Sequence, residues 1–502
     1  MLLKDVIQYL QISGTTGDLN IEVLGVAYDS RQVKPGDVFV AVPGFKVDGA
    51  KFAAAAVQNG AVAVICQNPV AEAKVPQIVV PNARAALAML SNRFYDFPSR
   101  KLKVIGVTGT NGKTTICYLL DHILRASGYK VGMITTVEVK VDGKSTESKM
   151  TTPESVDLQR LFADMLNDGV THVVMEVSSH SLALDRVLGV EFDVAVFTNL
   201  THDHLDFHKT MDEYFAAKLK LFQAILNGSK KDAVVVTNID DGYGKKIMDI
   251  AKHRALSYST KTKADLSAKD EKFSLTGTSF SIASGTDTLK ASSKLIGAAN
   301  VYNILASMLC AFSMDVDIDD CLKAIESFPG APGRFESIHA GQQFPVIVDF
   351  AHSPDSLEKL IQTYRPLIKG KIILVFGCPG DRDKEKRPIM GELAVKLADH
   401  VIISTDDPHS ESPEAIVNEI EAGIKGRGKE PPLCLPLAKG ERDEKRYEKI
   451  IDRRAAIKRA LELAKKDDIV LIAGRGHEKY QDFNGKKVEI DDREIVKELL
   501  TS

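Results

Sequence analysis

The sequence lacks the features that would settle its class at once. It has no C-x-x-C pair among its six cysteines, no H-E-x-x-H, no apolar run of 18 residues and no fixed-period repeat. Scattered cysteines argue against a disulfide scaffold or a cysteine-rich zinc site and for reduced thiols in a cytosolic protein. The missing apolar run leaves nothing to span a bilayer. A net charge of −3 gives no electrostatic case for nucleic acid or an anionic membrane. The opening "MLLKDVIQYLQIS" carries Lys4 and Asp5 inside its apolar stretch and no small-residue cleavage site, so it reads as a short amphipathic helix rather than a signal peptide. The expectation is a cytoplasmic protein.

What is present is ordinary globular composition, 44% apolar and 26% charged, over 502 residues. That length implies about two to four domains. Short apolar runs alternate with helical patterns, which predicts parallel α/β units. "GDVFVAV", "AVAVIC" and "QIVV" read as strands of a first unit that ends at the turn-rich "FYDFPSR" (94–100). "KVIGVTG", "HVVMEVSS", "VAVFTNL" and "DAVVVTN" follow as strands of a second. The Pro- and Gly-rich "SFPGAPGRF" (327–335) reads as a hinge into a third, with "PVIVDFAHSP", "KIILVFGCPGDRD", "HVIISTDDPHS" and "DDIVLIAGRGHE". The boundaries are set at 1–98, 99–333 and 334–502. The run "KGERDEKRYEKIIDRR" reads as a solvated loop and helix face.

Polar clusters stand at the carboxyl ends of the predicted strands, the edge where open parallel sheets bind ligands. "GVTGTNGKTT" (106–115) lies between a strand and the helical pattern "KTTICYLLDHILRASG". From Gly109 to Thr114 it reads G-x-x-G-K-T, two residues shorter than G-x-x-x-x-G-K-[ST], whose first glycine would fall at Val107. Its backbone N–H groups can cradle phosphate, with Lys113 on the outer phosphates and Thr114 on Mg²⁺. Glu176 in "MEVSSH" can share that ion, although a strand-end Glu is by itself more often merely solvated. "NLTHDHLDFH" packs His202, His204 and His208 with Asp203 and Asp206, suiting metal or phosphate chemistry, or a polar loop with structural histidines. On pattern alone, Lys218 and Lys220 of "YFAAKLKLF" read as surface lysines. In the third unit, Asp349 and His352, Asp381 to Asp383, Asp406 and Asp407, and His477 and Glu478 mark four strand ends.

In order, "YDSRQVKPGDVFVAVPG", "GVTGTNGKTT", "MEVSSHSL", "NLTHDHLDFH", "YFAAKLKLF", "GAANVYNILAS", "PGRFE", "VDFAHSPDSL", "GCPGDRDKEKRPIMG", "DDPHSESP" and "GRGHEKYQ" resemble the Mur ligase family across nearly the whole chain. The resemblance implies a uridine-nucleotide-binding domain, a central P-loop-type ATPase domain and a Rossmann-like third domain. It is greatest to the members that add the third residue. The implied reaction joins a diamino acid, meso-diaminopimelate ahead of L-lysine, to the D-Glu γ-carboxylate of UDP-MurNAc-L-Ala-D-Glu through an acyl phosphate. ATP and Mg²⁺ are the implied cofactors, and a monomer is expected. A folylpolyglutamate synthetase-like ligase and a P-loop NTPase that makes no bond are the rivals. The first would not need the opening 98 residues, nor the second the hinge and third unit.

Carried over residue by residue, Gly109, Thr110, Asn111, Gly112, Lys113, Thr114 and Thr115 form the phosphate loop. Asn300, Asn303, Arg334 and Asp349 complete the ATP site. Thr114 and Glu176 hold the first Mg²⁺. His204 and Lys218, the latter carbamylated, serve a second, which inverts the bland reading of Lys218. Ser30, Thr151, Thr152, Ser178 and Arg186 match the muramoyl-dipeptide site. Arg382, Asp406, Asp407, His409, Gly474 and Glu478 match the amino-acid site. There are departures: Leu184 stands where Gln is common, Phe350 where Tyr is usual and Pro379 where Gly is usual. "DDPH" replaces the "DNPR" of diaminopimelate-adding members, so His409 stands in place of an Arg that grips a carboxylate.

Overall fold

A computed structural model of the chain describes residues 1–44, 47–426 and 446–501. Cys434 and the first half of the charge run lie outside these. The other five cysteines are free and buried. No helix among the described residues is long and apolar enough to cross a membrane. The opening segment forms only one α-helical turn, Leu3–Val6, continued by a 3₁₀ turn, Ile7–Tyr9.

The chain builds three mixed α/β layers, each around its own sheet. The first sheet has five strands, in the order Gly14–Thr16, Gln77–Val79, Ala63–Cys66, Asp37–Val40, Gly25–Ala27. Only Gly14–Thr16 runs antiparallel to its neighbour. The second sheet has eleven strands. At its centre Lys103–Thr108 lies between His172–Glu176 and Val194–Phe197, all parallel, and these strands are almost wholly buried. Burial on both faces accounts for their continuous apolar runs. Both edges are antiparallel: Glu138–Val141 with Lys144–Glu147 on one side, Gly277–Ser284 with Asp287–Ser293 on the other. The third sheet places Val346–Asp349, Ile469–Ala473, Ile372–Phe376 and His400–Ile403 side by side and parallel. The short strands Glu336–Ile338 and Tyr447–Lys449 edge it.

Tyr447–Lys449 and Arg453 correct the reading of the charge run as a solvated face. The Arg453 side chain is fully buried, with a two-pronged contact to the equally buried Asp492 at 2.7 and 2.9 Å. Its remaining N–H groups reach the carbonyls of Thr405 and Ala473, at 3.4 and 2.9 Å. This single guanidinium thus ties together the loops that leave two central strands, just before Asp406 and Gly474. The alternation of charged and apolar residues could not show which charge faces inward.

Removing one partner of a buried pair leaves the other uncompensated, at a cost of about 3–5 kcal/mol. Asp492→Ala is therefore expected to lower the unfolding free energy of the third unit by about that amount. Urea titration followed by far-UV circular dichroism measures it, and a loss under about 1 kcal/mol would contradict the role given to the pair.

Candidate active site

The carboxyl ends of the second and third sheets face each other across a cleft of about 1630 Å³. Every residue that the resemblance assigns in the second and third units lines it, whereas His202, His208 and Asp381 do not. Ser30 does not; it is buried in the first unit, where its carbonyl accepts from Asn59 Nδ2 at 2.8 Å.

The phosphate loop leaves strand Lys103–Thr108 and enters helix Lys113–Ala126. Gly109 and Gly112 have φ of 147° and 94°. A Cβ on Gly109 would meet Thr198 Oγ1 at 1.8 Å, and one on Gly112 would meet Asn303 Oδ1 at 2.5 Å. Only glycine therefore lets the loop pass this close to its neighbours. Lys113 Nζ donates to the loop's own carbonyls, Gly109 O at 3.0 Å and Thr110 O at 2.8 Å. Burial pushes its pKa down, while Glu176 opposes the shift.

Glu176, 1% exposed, ends the neighbouring strand. Its carboxylate accepts from the Thr114 hydroxyl at 2.8 Å, the Thr136 N–H at 3.0 Å and the Thr136 hydroxyl at 3.2 Å. Thr136 was not singled out from sequence, and its isolated position in the chain gives no signal. Thr152 Oγ1 donates to the Glu176 carbonyl at 2.9 Å, which brings the Thr151–Thr152 segment to the same strand end. Arg186 bonds Glu154 at 2.8 Å and the Thr152 carbonyl at 3.3 Å. Arg334 Nη2 reaches Thr114 Oγ1 at 3.2 Å, and its guanidinium lies 4.4 Å from the centre of the Phe350 ring. Asp349, behind it, is raised to about 6 by burial, against the opposing pull of Arg334 and of the Phe335 N–H at 2.7 Å.

Lys218 is not a surface lysine. Helix Met211–Asn227 turns it inward, 1% exposed, where Nζ donates to Gly109 O at 2.8 Å and lies 4.6 Å from the centre of the Tyr214 ring. Burial first, then the nearby Lys113 charge, hold its pKa well below the usual lysine range. Lys220, two residues on, keeps 47% of its side chain exposed. His204 has a left-handed φ of 55° and bonds through its N–H to Asp203 Oδ1 at 2.9 Å. Its ring meets that of His180 edge-on at 5.0 Å. Burial depresses it to about 3.

On cations, the described residues include no group of three or more His, Cys, Asp or Glu that could hold a metal ion. A Thr hydroxyl beside a single carboxylate is instead what Mg²⁺ accepts, since it takes one or two carboxylates and completes its shell with water and phosphate. Thr114 and Glu176 fit that ion.

In the third unit, Asp406, Asp407 and Glu478 surround Arg475, whose side chain is fully buried. Its Nη1 lies 3.9, 3.8 and 3.6 Å from the three carboxylates. That Nη1 and Asp406 Oδ2 have no hydrogen-bond partner. Three acids against one guanidinium leave this corner of the cleft acidic, suited to an ammonium group. Burial, then Asp406, push Glu478 up to about 8. Arg475 was missed from sequence because it reads as a loop residue after a strand. His409, at φ 48°, is pinned to the hairpin Tyr480–Phe483/Lys486–Glu489. Its N–H donates to Asp482 O at 2.9 Å, its carbonyl accepts from Asn484 at 2.7 Å, and its ring faces Asp482 Oδ2 at 3.6 Å. Arg382, Lys479 and Lys487 also line the cleft and bring cations to it.

Comparison with known proteins places three family models along the chain: "Mur ligase family, catalytic domain" over residues 22–95, "Mur ligase middle domain" over 107–311, and "Mur ligase, glutamate ligase domain" over 333–476. The chain is 42% identical over 501 residues to a UDP-N-acetylmuramoyl-L-alanyl-D-glutamate--2,6-diaminopimelate ligase from Syntrophomonas wolfei, covering 100% of this chain and 99% of that one. It is 42% identical to a ligase of the same name from Bacillus cereus, over 96% of this chain and 95% of the relative. A solved structure of a ligase of that name superposes with a TM-score of 0.70 at 30% identity, over 100% of this chain and 98% of the other.

A carboxyl whose pKa is higher folded than unfolded makes the folded chain bind more protons across the interval between the two values. For Glu478, stability therefore falls as pH rises from its ordinary 4.5 to about 8. Glu478→Gln removes this term. The variant is expected to melt above the parent, by about 2 °C at pH 8.5, with the difference vanishing near pH 4.5. Calorimetric melting of both chains across that range checks it.

Proposed function

The chain belongs to the Mur ligase family and is an ATP-dependent, amide-bond-forming ligase. From that premise we propose that it joins meso-diaminopimelate to the D-Glu γ-carboxylate of UDP-MurNAc-L-Ala-D-Glu. The full-length relatives carrying that activity in their names support this reading. So does the acidic corner formed by Asp406, Asp407 and Glu478 in a cleft that Arg382 and Lys487 also line, where an amino acid with two ammonium and two carboxylate groups finds both kinds of partner. We assign residues 1–98 to the uridine-nucleotide end with Ser30, 99–333 to the nucleotide-binding domain and 334–502 to the amino-acid domain.

The chemistry follows from the order of the cleft. Loop N–H groups and Lys113 hold the phosphates of ATP, with Asn300 and Asn303 on the adenine side and Arg334 and Asp349 across from them. Thr151, Thr152, Ser178 and Arg186 hold the dipeptide so that its γ-carboxylate attacks the terminal phosphorus and ADP leaves. A bare carboxylate is a poor electrophile, and the acyl phosphate supplies the leaving group. The amine, deprotonated before attack, adds to the acyl carbon, and phosphate departs from the tetrahedral adduct. Thr114 and Glu176 would hold one Mg²⁺, and His204 with Lys218 would support a second, which supplies neutralisation of the crowded oxyanions. A buried lysine amine beside another cation favours the neutral, nucleophilic form that takes up CO₂, which suits Lys218 to carbamylation. Positioning and electrostatics carry most of the acceleration.

L-Lysine is the second reading. It is favoured by His409, which faces Asp482 and offers a single donor where a guanidinium would offer a fork.

The test is phosphate release from ATP with UDP-MurNAc-L-Ala-D-Glu and, in turn, meso-diaminopimelate, L-lysine, L-ornithine or no amine, with product masses. Release dependent on meso-diaminopimelate is expected. Dependence on L-lysine selects the second reading, and release indifferent to every amine overturns both. Lys218→Ala is expected to remove most of the activity, by about 10²-fold or more, and bicarbonate to restore part of it. Full activity of that variant without additive would refute the role of Lys218.

A further inference from the structure

Beyond the residues that touch nucleotide or amino acid, one contact joins the phosphate loop directly to the third unit. Asn111 Nδ2 donates to Asp355 Oδ2 at 2.8 Å, across 244 positions of sequence. The same oxygen accepts from Thr201 Oγ1 at 3.3 Å and from Lys359 Nζ at 2.8 Å. We propose that Asp355 is a positioning residue: its carboxylate fixes Asn111, and through it the phosphate loop, only when the third unit is docked on the second. This rests on the ligase reading above and adds to it the means by which the loop reports that the amine-bearing unit is in place.

The loop's own bonding shows why such a contact has leverage. Gly109 and Gly112 flank Asn111 and leave the loop backbone free to turn. From the second unit, Asn111 is held by its backbone alone. Its N–H donates to Asn199 Oδ1 at 3.0 Å, and its carbonyl accepts from Thr198 Oγ1 at 2.6 Å and Asn199 Nδ2 at 3.2 Å. Its side-chain amide is held from the third unit. Thr201, whose hydroxyl also donates to Asp355, begins the segment that carries Asp203 and His204. One carboxylate oxygen therefore braces two loops of the second unit at once.

A carboxylate beside a phosphate site needs its charge offset, and the helix does this. Asp355 lies in the first turn of helix Pro354–Tyr364, where the helix dipole favours an anion. Pro354 and a reciprocal Ser353–Ser356 capping box fix that turn. Lys359, four residues on, completes the ion pair at 2.8 Å and lines the cleft. The pair places an ammonium near the loop without leaving a bare anion there.

The experiment uses the full chain with Asp355→Ala, Asp355→Asn, Asn111→Ala and the Asp355→Ala/Asn111→Ala double variant. Asp355→Ala is expected to lower kcat about tenfold or more while the KM for ATP changes less than about twofold. The double variant is expected to be no slower than Asn111→Ala alone, because both changes remove one contact. Asp355→Asn keeps an acceptor for Asn111 and is expected to recover most of the rate. A merely structural role would lower the melting temperature without this split. Small-angle scattering with ATP and the dipeptide substrate reads docking without any amide product. Asp355→Ala is expected to stay more extended than the parent, which keeps this test distinct from failure of the ligase reading. Unchanged kcat in Asp355→Ala, multiplicative losses in the double variant, or identical scattering would each overturn the proposal. Should Asp355→Ala fail to fold, Asp355→Leu, of similar size and with no acceptor for Asn111, takes its place in the same cycle.

Discussion

The site is organised around one buried carboxylate. Glu176 is nearly without solvent, and an anion there is tolerable only because its oxygens meet the Thr114 hydroxyl and both donors of Thr136. Those bonds bring three separate pieces of chain to one point: the first turn of the phosphate-loop helix, the end of the neighbouring parallel strand, and the segment that follows the strand at 131–134. The carbonyl of the same residue holds Thr152. Remove the carboxylate and the loop helix, the candidate cation ligands and the candidate dipeptide site lose their common reference. The parallel sheet makes this possible, because it delivers successive strand ends to one edge.

Much of the fold could be read from the sequence because parallel, doubly covered strands leave continuous apolar runs. "KVIGVTG", "HVVMEVSS" and "VAVFTNL" lie side by side at the centre of the second sheet. The edges were not legible for the opposite reason. Lys144–Glu147 is wholly exposed and Asp287–Ser293 largely so, and neither has an apolar run to announce it. The short opening helix failed differently: its apolar periodicity is real, but only four residues hold α-helical geometry before it tightens into a 3₁₀ turn.

For the site, the limits follow from which side of a helix or loop a residue takes. "YFAAKLKLF" gives Lys218 and Lys220 equal claims to solvent, and only packing against the loop distinguishes them. The resemblance to the Mur ligases singled out Lys218; periodicity did not. Thr136 lies in no quoted motif, and Arg475 and Asp355, though inside "GRGHEKYQ" and "VDFAHSPDSL", were not singled out there. Each matters through a partner distant in sequence, as Asn111 and Asp355 show, and one chain read alone contains no signal for such pairs.

Charge completes the argument. The two faces of the cleft differ in what they leave unpaired. On the second unit, Lys113 and Lys218 spend their donors on loop carbonyls, the one half-buried and the other buried near it, an arrangement that anionic phosphate relieves. On the third, Arg475 Nη1 and Asp406 Oδ2 go without partners amid an excess of acid, an arrangement that a cationic group relieves. Each face is therefore incomplete without its own kind of ligand. Under the proposed function, the two faces together set a phosphorylated carboxylate opposite an amine, with opposite local charges that draw the two toward the same point. The hinge and Asp355 act on that distance. Under the proposed function, the specificity of the amine end turns on the single imidazole of His409, held by Asp482, as a partner for a carboxylate.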